Sequence, residues 1–106
     1  METDKVFRLL GLATRAGKIA FGYESVVDTI IKNKAKLVLV AEDASERTKR
    51  NILRIAQENH VQARKYGTID KISNNIGKQN KAVVCVKDVN FSKEMLKIID
   101  GGEAIG

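Results

Sequence analysis

The sequence predicts an α/β fold, a three-layer α/β/α sandwich around a sheet of about four strands, and three observations predict it. Leu37, Val38, Leu39, Val40 and Ala41 form an unbroken apolar run, too short for a stable helix and too uniform for a half-exposed strand, as expected of a strand buried on both faces. Ala82, Val83, Val84, Cys85 and Val86 repeat that pattern near the carboxyl end. Between and around these runs, apolar residues recur at three- and four-residue steps, so helices are available to cover both faces of the sheet.

Taken in order, Thr3 or Asp4 can cap a first helix with Val6, Leu9, Leu10 and Ala13 on one face, ended by Gly17 in the C′ position. Arg15 and Lys18 bracket that end, where the helix dipole favours positive charge. Ile19, Ala20 and Phe21 read as a short strand leading into Gly22, followed by a second helix with Val26, Val27, Ile30 and Ile31 turned inward. After the buried strand, Glu42 and Asp43 open a polar turn and Ser45 caps a third helix. Its Ile52, Ile55 and Ala56 face the core, while Arg47, Arg50 and Arg54 form a stripe on another face. Residues 61–66 form a weak strand interrupted by Gln62, Arg64 and Lys65, as expected at a sheet edge. Thr68 caps a fourth helix carrying Ile69, Ile72 and Ile76 and ended by Gly77. A polar, basic loop follows, and after the second buried strand Asn90 caps a last helix with Phe91, Met95, Ile98 and Ile99 inward. Right-handed crossovers would close this order into a sandwich. The domain is expected to span residues 1–100, with 101–106 as a frayed tail.

With 106 residues, the chain suits one domain with one core. No segment has the apolar length to span a bilayer, and no charged-then-apolar signal opens the chain, so no membrane is expected and the cytoplasm is the expected location. A net charge of +6 favours polyanionic partners, whether RNA, DNA or an anionic lipid surface.

The inventory for catalysis is poor. His60 is the only histidine and Cys85 the only cysteine; no motif ties them together, and zinc would need further ligands from carboxylates. GLATRAGK, residues 11–18, mimics a phosphate-binding loop, but its glycine spacing is one residue too long and Ile19 stands where Ser or Thr should be. Glu42 and Asp43 at a strand end suggest a phosphoacceptor domain, yet that fold opens with a strand and this chain opens with a helix. No enzyme, cofactor, metal or small-molecule substrate is expected.

For RNA, three elements converge. Gly22 at the entry to the second helix offers backbone N–H groups and a helix dipole to a phosphate. Gly77, Lys78, Gln79, Asn80 and Lys81 form a basic loop before the neighbouring strand, expected beside that turn. Tyr23 is the one aromatic placed to meet a base. Together these suit an irregular RNA read by shape and exposed base edges.

LLGLATRAGK, FGYESVVDTIIKNKAKLVLVAEDAS and IGKQNKAVVCV resemble the small bacterial YlxQ-type proteins, of the superfamily of kink-turn-binding ribosomal proteins (the L-seven-Ae and L-thirty-e group). The resemblance covers nearly the whole chain. It implies an L-thirty-e-like sandwich, no catalysis, binding of structured, kink-turn-like or ribosomal RNA, and association with the ribosome. The contacts it suggests are Gly22, Tyr23, Glu24 and Ser25, flanked by Gly77, Lys78, Gln79, Asn80 and Lys81, with Arg15 and Lys18 adding phosphate contacts. In kink-turn binders the corresponding turn reads roughly G-x-N-E-x-T-K or G-x-K-Q-T-x-K. This chain keeps the glycine, places Glu24 and Ser25 at the polar base-reading pair and puts Asp28 at the lysine; Ser73 replaces a glycine common in relatives. Those departures support the alternative of a protein-interaction module that keeps the fold without specific kink-turn readout.

Overall fold

A computed structural model describes residues 4–101. Five helices alternate with four strands among them: α1 (Lys5–Arg15), β1 (Ile19–Phe21), α2 (Tyr23–Ile31), β2 (Leu37–Val40), α3 (Glu46–Glu58), β3 (Gln62–Lys65), α4 (Ile69–Ile76), β4 (Val83–Val86) and α5 (Val89–Gly101). Every residue of β2 and β4 is buried, because apolar side chains on both faces of a strand require helices on both sides. Helix α1 packs on α4 and α5, whereas α2 packs on α3; the two groups form the outer layers. No described helix is long and apolar enough to cross a membrane.

The sheet order is β1-β4-β2-β3. Only β2 and β3 run parallel, joined by α3; β4 is antiparallel to both β1 and β2. The expected crossover logic therefore governs one connection only, and β4 reaches the centre from the far end of the chain. Because β4 runs against its two neighbours, its first residues lie beside the last residues of β1 and β2. Strand β3 is an edge strand with the exposed or half-buried pattern its charged sequence implies.

Caps follow local chemistry. Asp4 Oδ1 accepts the Val6 and Phe7 amides at 2.8 and 3.3 Å, Ser45 Oγ accepts Thr48 N–H, and Thr68 Oγ1 accepts Lys71 N–H. The other oxygen of Asp4 takes a 2.6 Å hydrogen bond from Tyr66 Oη, and burial together with this carboxylate raises the phenol's pKa. One residue thus starts α1 and fastens it to the end of β3.

Three expectations are corrected. Helix α5 begins at Val89, and its cap is Asp88, whose Oδ2 accepts Phe91 N–H at 2.9 Å, rather than Asn90. Ile31 is 64% exposed because α2 presents Val26 and Ile30 to the core and its last residue turns outward. Gly101 belongs to α5, so the frayed tail does not begin there; its remainder, 102–106, and the alternative cap Thr3 lie outside the described residues.

Candidate nucleic-acid interface

The site begins where β1 ends. Phe21 pairs with Val84, and the next amide, Gly22 N–H, donates to Val83 O at 2.9 Å, tying the entry of α2 to the start of β4. Gly22 has φ 88° and ψ 149°, a conformation close to one that is essentially glycine's alone. Its carbonyl accepts Val26 N–H at 2.9 Å, and no side chain caps this helix. The amides of Tyr23, Glu24 and Ser25, first-turn donors without an intrahelical acceptor, are left for an incoming acceptor. All three residues are exposed.

Positive charge arrives from the 77–81 loop. Lys78 Nζ and Lys81 Nζ lie 5.1 and 5.6 Å from the centroid of the Phe21 ring, contacts worth roughly 0.5–1 kcal/mol each at an exposed site. Ser73, only 2% exposed, holds the loop closed: its Oγ accepts Lys81 N–H at 2.7 Å and donates to Lys81 O at 3.2 Å, while its carbonyl accepts Lys78 N–H at 2.9 Å. Gly77 (φ 72°) and Asn80 (φ 56°) supply the left-handed turns between, and Gln79 and Asn80 are exposed.

Gly22, Tyr23, Glu24 and Ser25 therefore meet Gly77, Lys78, Gln79, Asn80 and Lys81 at one rim of the sheet. Arg15 and Lys18 do not join them. Lys18 precedes β1 and its carbonyl accepts Lys87 N–H at 2.7 Å, at the opposite end of a strand whose length separates Lys18 from Gly22 by about 13 Å. Arg15 is the last residue of α1, before the turn into Lys18, whose amide donates to Ala13 O.

Acidic groups reach the same rim from its other half. Glu42 and Asp43 follow β2, beyond β4 from Gly22, and Asp43 Oδ1 accepts Ile69 N–H at 2.8 Å, occupied by the start of α4. Asp28 is paired with Lys32 at 3.0 Å on the exposed face of α2, so part of its charge is offset. The rim thus has an amide-and-lysine half beside a half where the Glu42 and Asp43 carboxylates stand with Lys71 and with Lys49, whose Nζ donates to Glu42 O at 2.8 Å.

Sequence reasoning missed Phe21, the surface beneath both ammonium groups, and treated Ser73 only as a departure. The signal for Ser73 was present: it stands on the Ile69, Ile72 and Ile76 stripe, where a polar residue must find an acceptor or donor. Ser73→Ala is expected to leave the Lys81 amide unpaired and to cost about 1–2 kcal/mol. A fall in Tm of roughly 4–16 °C and faster amide exchange in residues 77–81 would register it; an unchanged melting curve would mean that the hydroxyl does not hold the loop.

Elsewhere, the described residues contain no group of three His, Cys, Asp or Glu arranged to hold a metal. Cys85 is fully buried, and burial pushes its thiol pKa up to about 11. His60 is an exposed residue with φ 60° just after the end of α3. Neither is placed as a nucleophile or base.

A model of the Ribosomal protein L7Ae/L30e/S12e/Gadd45 family matches residues 4–96. The chain is 35% identical over 94 residues to a Bacillus subtilis (strain 168) protein called RNA-binding protein YlxQ, covering 89% of this chain and 94% of that one. An Enterococcus faecium protein of the same name is 37% identical over 98 residues, 92% and 94% of the two chains. Among solved structures, a Bacillus halodurans C protein of unknown function superposes with a TM-score of 0.89 at 32% identity, covering 92% of this chain and 99% of that one. The Giardia lamblia 15.5kD RNA binding protein shares the fold, with a TM-score of 0.77 at 15% identity over 90% and 84% of the two chains.

Proposed function

Since the chain belongs to the Ribosomal protein L7Ae/L30e/S12e/Gadd45 family, we propose that it is a noncatalytic RNA-binding protein of the cytoplasm that recognises structured RNA of the kink-turn or ribosomal type. The observation that carries this reading is the meeting of the Gly22 turn with the Ser73-held lysine loop. Uncapped amides of the first turn of α2 donate to a phosphate oxygen or to an acceptor on a base edge, while Lys78 and Lys81 neutralise the backbone beside it. Tyr23, 38% exposed, lies at the same helix entry to cover an unstacked base. Glu24 accepts from exocyclic amino groups, and Ser25, Gln79 and Asn80 offer both donors and acceptors. The relatives named for RNA binding support the partner class.

An RNA distorted at a kink suits this rim better than a regular duplex. A narrow positive patch bounded by Glu42 admits a backbone that turns sharply and disfavours one that runs straight across to β3. Because Asp28 is paired with Lys32, the carboxylate at that position repels phosphate less than its charge alone implies.

Filter-binding titration at several salt concentrations, using a folded kink-turn RNA and a straight duplex of matched composition, tests the reading. The expected result is tighter binding of the kinked RNA, with affinity falling steeply as salt rises. Equal affinity for the two RNAs would overturn kink recognition. If neither binds at low salt and a lysate partner persists after ribonuclease treatment, the chain is a protein-interaction module instead.

A further inference from the structure

Displacement of Lys18 from the Gly22 rim reveals what it joins. Lys18 O accepts Lys87 N–H at 2.7 Å, and Val86 O, one residue earlier on the same strand, accepts Lys36 N–H at 2.8 Å. Lys18, Lys87 and Lys36 therefore stand side by side across β1, β4 and β2, spaced by about 5 Å per strand. All three are exposed, with exposed Arg15 at the end of α1 and exposed Lys34 in the segment between α2 and β2 that leads into the row. The ion pairs seen among the described residues involve Lys32, Lys49, Arg54 and Arg64, and none of these five. Asp88 follows Lys87; its Oδ2 accepts Phe91 N–H and it forms no ion pair with the row, so its single charge offsets only part of the row's.

We propose that this lysine row is a second RNA-binding surface, one that grips the phosphate backbone of a regular duplex at the rim opposite Gly22, so that the protein bridges two RNA segments. Three adjacent like charges with no ion pair among the described residues repel one another, and a polyanion relieves that repulsion by replacing the salt ions gathered over the row. The row reads no bases: it carries no aromatic and no uncapped helix entry, only flexible ammonium groups that follow a backbone. RNA fits better than a lipid surface, which calls for an amphipathic helix with an apolar face. Ile31 and Val89, 64% and 51% exposed, are single aliphatic residues on different helices near the row.

This inference rests on the proposed function only for the identity of the first RNA segment. Its test uses the full chain, a plain RNA duplex of about 16 base pairs, a length of the order that a double-strand-binding surface spans, and the variant Lys18→Gln/Lys36→Gln/Lys87→Gln. The expected result is that the variant binds the duplex on the order of 100-fold more weakly at about 0.1 M salt, with the slope of log K against log salt reduced by roughly 2 to 3. Its preference for a kink-turn RNA should remain. Wild-type protein held on immobilised kink-turn RNA should also capture labelled duplex, and the variant should not. Duplex affinity and salt slope equal to wild type would overturn the second surface, as would charge-dependent binding to phosphatidylserine vesicles without any effect on the duplex. Loss of duplex binding in the variant, together with no kink preference in wild type, would sink the proposed function and leave the lysine row standing.

Discussion

Replacing both Lys78 and Lys81 by Gln is expected to weaken binding of structured RNA roughly 50- to 100-fold at about 0.1 M salt, the effect of losing two phosphate partners at close to a decade each. The slope of log K against log salt should fall by about 2. Glutamine keeps most of the length and a hydrogen-bonding head, so the variant removes charge with little change of shape. Folding should survive, because both ammonium groups lie over one half-buried ring, Phe21, rather than in the core. Lys78→Arg/Lys81→Arg should recover most of the affinity, since guanidinium keeps the charge and still lies over an aromatic ring. A Gln variant that loses affinity without a change in salt slope would show that the loop acts through its shape. Undiminished affinity would remove the loop from the interface.

This result separates the two rims. The loop variant should lose its preference for kinked over straight RNA, whereas the Lys18, Lys36 and Lys87 variant should lose duplex affinity and keep that preference. The distinction follows from what accompanies the charge at each place. Beside Lys78 and Lys81 stand backbone donors fixed by Gly22, which sit at defined positions and can discriminate; around Lys18 there are cationic groups on long, flexible stems, which attract without selecting.

Much of this arrangement is legible in the sequence because its signals are local. The run of five apolar residues at 37–41 can be a buried strand and little else, and Ser45, Thr68 and Gly77 announce helix ends by their own chemistry. The neighbourhood of Gly22 and the 77–81 loop is legible too, since each adjoins a strand and the strands must pair. What stays hidden depends on which end of a strand meets which. A strand at 19–21 sets Lys18 and Gly22 at its two ends, but the sequence does not say which residues of the other strands stand beside each of them. That outcome needs the antiparallel insertion of β4 between β1 and β2, fixed by contacts between residues far apart in the chain, such as Ile19 with Val86 and Val40 with Val83. Asp88 and Asn90 are equally good caps by type, and the choice falls to the one next to where β4 ends. The glycine at position 67 carries no sequence signal of its importance at all.

Gly67→Ala is expected to be the most damaging small substitution at the sheet's carboxyl rim. Gly67 has φ 72°, and a Cβ there would sit 2.4 Å from Phe7 Cζ and 3.2 and 3.3 Å from the two Cε atoms. The ring cannot swing aside freely: Phe7 is 6% exposed and packed against the tilted ring of Tyr66 at 5.4 Å between centroids. Tyr66 is itself fastened to Asp4, the cap of α1. The left-handed backbone costs alanine about 1–2 kcal/mol, and forcing a methyl group into packed space about 1–3 more. Their sum, about 2–5 kcal/mol, is a large part of the ~5–15 kcal/mol that holds a domain together. Chemical denaturation should therefore show a midpoint displaced strongly to lower denaturant. Gly67→Ala made in a Phe7→Leu background should cost less than it does alone, because the narrower side chain vacates the Cζ position and only the backbone strain remains; a double-mutant cycle measures the difference. Additive effects would locate the damage in the backbone alone. A Gly67→Ala protein as stable as wild type would mean that α1 moves away from the rim at little cost, and that Asp4, Phe7 and Tyr66 do not fix its position.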